Sequence, residues 1–196
     1  MYDNSYSYRI AKRKYFSDQM ESYGPYRFLL TLTFQHRITD AYATEQAEIF
    51  WRRLTKKIFE MDRRIPFSSI NGYAVLEKAS ITKEQDARRN VDGWENPHFH
   101  MLIKDHAVFS RDDAVAIQQI QAASWKAARN LKTYSGRPLV SREEKGIDVR
   151  DVYSDGILDY LAEDSTERGW KREERMFLLD SNGFETVGDR MAWQLF

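Results

Sequence analysis

The segment Asn96-Pro97-His98-Phe99-His100-Met101-Leu102-Ile103 sets both the fold and the chemistry expected of this chain. Along a β-strand successive side chains point to opposite faces, so His98 and His100 share one face while Phe99, Met101 and Ile103 share the other. Such a strand buries its aromatic and aliphatic side in a core and presents two imidazoles on the far side. The chain has four histidines in all, and these two stand at the spacing of two ligands to one ion. Taken without its neighbours, the pair fits equally well a couple of ordinary, partly buried histidines.

Working upstream, Asn71 to Lys78 reads as a preceding strand, and Glu77 near its end brings a carboxylate to the pair. Two imidazoles and one carboxylate leave coordination positions open for water and substrate. Mixed nitrogen and oxygen ligands suit Mn²⁺ or Mg²⁺ better than a closed structural zinc site. An isolated glutamate at a strand end is otherwise a surface residue. Arg27 to Gln35 is dense in aromatic, aliphatic and threonine residues and reads as a buried strand. Thr39 or Asp40 then caps a helix whose apolar positions Ala43, Ala47, Phe50, Leu54, Ile58 and Met61 recur at three or four.

Downstream, the charged segment Ser80 to Asn96 reads as a long loop before Pro97 opens the central strand. Asp112 to Leu131 is expected to be a second helix, with Val115, Ile117, Ile120, Ala123, Trp125 and Ala128 as its apolar positions, and a turn follows around Ser135 to Pro138. Ile147 to Val152 alternates like a strand, and Asp155 to Asp164 suits a short helix. Strand, helix, strand, strand, helix, strand is the order of an α+β, ferredoxin-like split βαβ antiparallel sheet with helices packed on it. The chain 1–196 is therefore expected to be a single domain with a core of about 27–164, the segments 1–26 and 165–196 being left unassigned.

Composition bounds the function. At 196 residues the chain suits one domain and leaves no room for a helicase or ATPase module. Hydrophobic residues make up 42% and charged residues 31%, the balance of a folded globular protein. No apolar run approaches the roughly 20 residues needed to cross a bilayer, and no secretory signal is visible. Cysteine is absent, which excludes disulfides and thiolate ligands. A cytoplasmic protein without a membrane partner is the expectation. Thirty basic and 30 acidic residues cancel, so no strong sequence-blind hold on polyphosphate is implied. The basic run Arg52, Arg53, Lys56, Lys57, Arg63 and Arg64 reads as a solvated helix face. In the leader, Tyr6, Tyr8 and Tyr15 alternate with Arg9, Lys12, Arg13 and Lys14. That suits base stacking and phosphate neutralisation if the leader orders on DNA, and a mobile, solvated terminus otherwise.

Tyr160 falls inside the short helix, where a lone tyrosine normally serves packing. Its combination with the other motifs is what matters. The strand Phe28-Leu29-Leu30-Thr31-Leu32-Thr33-Phe34, the pair His98-Phe99-His100 and the helical Tyr160-Leu161-Ala162-Glu163 resemble, in this order, the three motifs of the HUH endonucleases, especially the rolling-circle replication initiators of plasmids and phages. The resemblance runs from about Arg27 to Asp164. It implies the HUH endonuclease fold and one divalent ion, Mn²⁺ or Mg²⁺, held by Glu77, His98 and His100. It also implies Tyr160 as the single catalytic nucleophile. The implied activity is site-specific nicking and rejoining of single-stranded DNA through a 5′-phosphotyrosine, which initiates rolling-circle replication. Partners would be single-stranded or hairpin origin DNA, with host helicase and polymerase supplied in trans. A tyrosine with its ordinary pKa of about 10 is protonated at neutral pH, so such a site must stabilise phenolate; no general base and no DNA-binding residue is identified in the sequence.

The family's third motif commonly has lysine three residues after the tyrosine, where this chain has Glu163. Either Arg168 or Lys171 supplies the cation, or Glu163 faces away from the phosphate. Tyr153, seven residues before Tyr160, precedes the turn-forming Ser154-Asp155-Gly156 and is read as structural. A single-tyrosine transposase would share the whole site. A non-catalytic DNA-binding protein on the HUH fold, or an unrelated metal-dependent phosphoesterase, are the readings from other classes.

Overall fold

A computed structural model describes residues 3–36, 38–61, 65–78, 97–141, 146–152, 156–164 and 176–187, with the backbone alone for residues 3–10, 12, 78, 163 and 164. In chain order the elements are α1 (Asp3–Tyr23), β1 (Tyr26–Thr33), α2 (Asp40–Met61), β2 (Gly72–Lys78), β3 (Pro97–Lys104), α3 (Asp113–Ala128), β4 (Ile147–Asp151), α4 (Gly156–Asp164), β5 (Met176–Asp180) and β6 (Gly183–Thr186). The strands form one six-stranded sheet in the order β4-β1-β3-β2-β5-β6, antiparallel at every pairing. Its first four strands have the order expected of two interleaved βαβ units. Residues 79–96, expected to be a long loop, lie outside the described residues, as do Tyr153, Arg168 and Lys171.

Alternation along the strands sorts the side chains into two cores. Phe28, Leu30 and Leu32 of β1, Ala74 and Leu76 of β2 and Phe99, Met101 and Ile103 of β3 are buried beneath α2 and α3. There Phe99 packs among Phe34, Phe177 and Phe184. The α2 stripe is as the periodicity predicts from Ala43 to Ile58. Met61, in the last turn, is exposed. Val115, in the first turn of α3, is exposed as well; the other expected positions hold, with Ile120, Ala123 and Ala128 buried beside Ala116, Ser124 and Ala127, and Ile117 and Trp125 half-buried against the same core. Capping follows the sequence: Thr39 Oγ1 accepts from Tyr42 N (3.3 Å), and Asp112 Oδ1 accepts from Val115 N (3.0 Å). In the basic run, Arg52 pairs with Glu48 and Lys57 with Glu60 on the solvated surface of α2.

The opposite face carries the second core, and the described parts of the two flanking segments, unassigned from sequence, belong to the fold. The leader is the helix α1 rather than a mobile terminus. Its Phe16 and Met20 are buried against Tyr73, Val75 and Leu102 of the sheet, and against Leu158, Leu161 and Ala162 of α4. Tyr26 OH donates to the Met20 carbonyl (2.8 Å) at the end of α1. Beyond residue 164, β5 and β6 add a hairpin to the sheet. Asp180 Oδ1 accepts from Asn182 N (2.6 Å) and Gly183 N (3.2 Å), and Gly183 takes the positive φ of 132° that the turn requires. Trp51 Nε1 donates to the Asp180 carbonyl (2.8 Å) and ties this hairpin to α2. The sheet therefore extends past the expected 27–164 core. Among the described residues no helix is long and apolar enough to cross a membrane.

The packing of α1 makes a direct prediction. Phe16→Ala should destabilise the protein by about 3 kcal/mol or more, the cost of emptying a buried phenylalanine site. Urea unfolding measures it, and an unchanged midpoint would restore the mobile leader.

Candidate metal centre

Pairing register brings the candidate ligands together. In the β2–β3 ladder Glu77 lies directly opposite His98 and Val75 opposite His100, so Glu77 is the diagonal neighbour of His100 on the face that carries α1 and α4. Glu77 Oε2 is 2.8 Å from His98 Nε2 and 2.6 Å from His100 Nε2. The two imidazole rings are nearly perpendicular at 89°, with centroids 5.0 Å apart, and both aim their Nε2 atoms at one carboxylate oxygen. All three side chains are largely buried, 9% exposed for Glu77, 18% for His98 and 12% for His100.

One potential ligand atom from each residue lies within 4.8 Å of the others, so this trio could hold a metal ion. Donor atoms bound to one ion at about 2.1 Å stand roughly 3 Å apart, close to the Nε2–Oε2 separations found here. The chemistry of the set also fits: imidazole nitrogens and a carboxylate oxygen, without sulfur, are acceptable to any borderline or hard divalent cation.

A fourth residue completes the arrangement, and it was not among the sequence candidates. Thr31 of β1 pairs with His100 across the β1–β3 ladder, and its Oγ1 lies 3.0 Å from His100 Nδ1. A hydroxyl both donates and accepts. Thr31 can therefore serve the Nδ1–H tautomer, which frees Nε2 for an ion, and the Nε2–H tautomer, which donates to Glu77. Its only sequence signal is its parity in β1, shared with Leu29 and Thr33, on the face away from Phe28, Leu30 and Leu32. Thr31→Val keeps the shape and removes the hydroxyl. It should weaken divalent-ion binding by about 10- to 100-fold, measured by titration calorimetry with Mn²⁺; unaltered affinity would make the contact incidental.

Tyr160 stands on the first turns of α4 with its ring edge-on to His100, centroids 6.4 Å apart at 81°. The position of α4 explains this orientation. Leu158, Leu161 and Ala162 are buried against the sheet and α1, while Asp159 Oδ1 accepts a hydrogen bond from Ser17 of α1 (3.1 Å). The helix is thereby held with Tyr160 turned toward the histidines and 49% exposed. Two other tyrosines near this face differ. Tyr26 and Tyr73 are desolvated, and burial pushes both phenols well above the usual range, so they stay protonated inside the protein. Tyr160 combines proximity to the trio with access to solvent. Of Glu163 the backbone places it in the last turn of α4. The chain matches no protein-family model, no curated protein and no solved structure.

Proposed function

We propose that this chain is a metal-dependent endonuclease of the HUH type that nicks and rejoins single-stranded DNA through Tyr160. The observation that carries the proposal is the placement of a half-exposed tyrosine edge-on to His100, beside the convergent Glu77, His98 and His100. These residues would hold one Mn²⁺ or Mg²⁺, which when bound supplies a Lewis acid for the scissile phosphate. Tyr160 does the covalent work. Its phenolic oxygen forms a bond to phosphorus and gives its proton to solvent, while the bond from phosphorus to the 3′ oxygen breaks and that oxygen takes up a proton. The products are a 5′-phosphotyrosine and a free 3′-hydroxyl. Because the phosphodiester energy is retained in the tyrosyl ester, a 3′-hydroxyl can reverse the step without ATP.

Two features of the protein favour such a step. The reacting tyrosine rides on a short helix anchored at three buried positions and by the Ser17–Asp159 bond, which limits its motion relative to the trio. The half-exposed ring also leaves the approach open to an unpaired strand. Rolling-circle initiation at a single-stranded or hairpin origin, with helicase and polymerase supplied by the host, is the role we assign. The test is a labelled single-stranded library incubated with the protein and Mn²⁺, then denatured in SDS. A slow-migrating, protease-sensitive adduct that EDTA prevents is the expected result. Absence of any adduct on DNA containing the cognate origin would leave the trio as a metal or hydrogen-bonding cluster without nicking activity.

A further inference from the structure

Charge is balanced over the whole chain but not locally. Residues 114–141 carry four basic side chains, Lys126, Arg129, Lys132 and Arg137, and no acidic one. The fold gathers them around the end of α3 and the reversal that follows it. Leu131 and Leu139 are buried and joined by a backbone hydrogen bond (2.9 Å), and Thr133 N donates to the Arg137 carbonyl (2.8 Å). Gly136, at a φ of 82°, closes the turn. All four cations are exposed, and none makes an ion pair among the described residues.

Aromatic rings are interleaved with these charges. Tyr134 sits at the tip of the turn, 88% exposed, stacked on Tyr42 with ring centroids 4.4 Å apart at 26°. Tyr42 OH donates to the Lys132 carbonyl (2.7 Å), which fixes the lower ring of the pair. Beside the turn is an open groove of about 480 Å³ lined by Trp125, Ala128, Arg129, Pro138 and Val140. Glu45, one turn along α2, is the acidic group whose charge bears on Tyr42. The groove lies under the helix-covered core face, opposite the metal centre. Yet Gln35 bonds both Pro138 and Leu139, which attaches the turn two residues past the end of β1, four residues and at most roughly 14 Å from Thr31.

We propose that this groove and turn form a contact surface for single-stranded nucleic acid, with phosphates on Lys126, Arg129, Lys132 and Arg137 and a base stacked on Tyr134. Exposed cations with no acidic side chain among residues 114–141 favour a polyanion, and an aromatic ring held flat with its outer side in water favours an unpaired base. An acidic protein segment would be served by the cations but has no use for the stacked tyrosines. The proposal rests on the preceding functional reading only for the choice of DNA over RNA.

The experiment uses fluorescence anisotropy with a labelled oligothymidylate of about 16 nucleotides, in EDTA, across a range of salt concentrations. Replacing the four cations together by alanine should weaken binding by at least about tenfold and reduce the salt slope by about 3. Tyr134→Ala should weaken it by roughly tenfold with the slope unchanged. Wild-type affinity and slope in both variants would overturn the proposal. So would a polyglutamate peptide whose binding the four substitutions abolish while oligothymidylate binding persists, or a duplex that binds as tightly as the single strand and ignores Tyr134→Ala. Because binding is read without metal or adduct formation, failure of the Tyr160 chemistry and failure of this surface give separate results.

Discussion

Tyr160→Phe is expected to eliminate covalent adduct formation, by at least about 10⁴-fold relative to the wild type, while the fold is unchanged. The substitution removes one oxygen. The ring that stands edge-on to His100 remains, and α4 keeps its anchors at Leu158, Leu161, Ala162 and the Ser17–Asp159 bond. With the nucleophile gone and its surroundings intact, binding of a single strand should persist without cleavage. Tyr153→Phe should retain cleavage if Tyr160, on α4 (Gly156–Asp164), is the nucleophile as proposed. Mass spectrometry of the adduct decides between them: a DNA-linked peptide containing Tyr153 would move the nucleophile out of α4 and sink the assignment.

The second large effect is on ion binding. Replacing both His98 and His100 by alanine should abolish measurable Mn²⁺ affinity in calorimetry, because two of three convergent ligands are lost. The core beneath is expected to survive, since Phe99, Met101 and Ile103 are buried on the other side of the strand. The variant still has a cost: the largely buried Glu77 loses both imidazole partners, worth about 1–3 kcal/mol. Glu77→Gln separates the two effects. It keeps the size of the side chain and one acceptor oxygen for the two imidazoles while removing its charge, so ion affinity should fall with little change in urea stability. Undiminished Mn²⁺ binding in the double histidine variant would show that the ion, if any, sits elsewhere.

Much of this arrangement was legible in the chain before folding. The two-residue period of a strand was enough to put His98 and His100 on one face and Phe99 on the other, and the structure places them so. The stripe from Ala43 to Ile58 marked α2, and the order of elements predicted the β4-β1-β3-β2 arrangement of the sheet. These features depend on backbone geometry repeating over a few residues, and a linear pattern records such repeats directly. The convergence of Glu77 with the histidines was expected from adjacent strands, although the sequence could not supply the register that makes Glu77 face His98.

What only the tertiary structure decided depends on partners distant in the chain. Phe16 and Met20 are too sparse to draw a stripe along α1, and they are core residues because α4 and the far face of the sheet meet them. Met176 to Leu179 became a strand because the edge of β2 was open to pair with it. Thr31 reaches His100 through the β1–β3 register, which a shift of one residue would reverse. The rotation of α4, and with it the direction of Tyr160, is set by side chains from α1 and the sheet. Strand parity and helix period were thus determined locally by the sequence, whereas register, helix rotation and the meeting of distant segments were settled by packing, where each element's buried face is defined only by what lies against it.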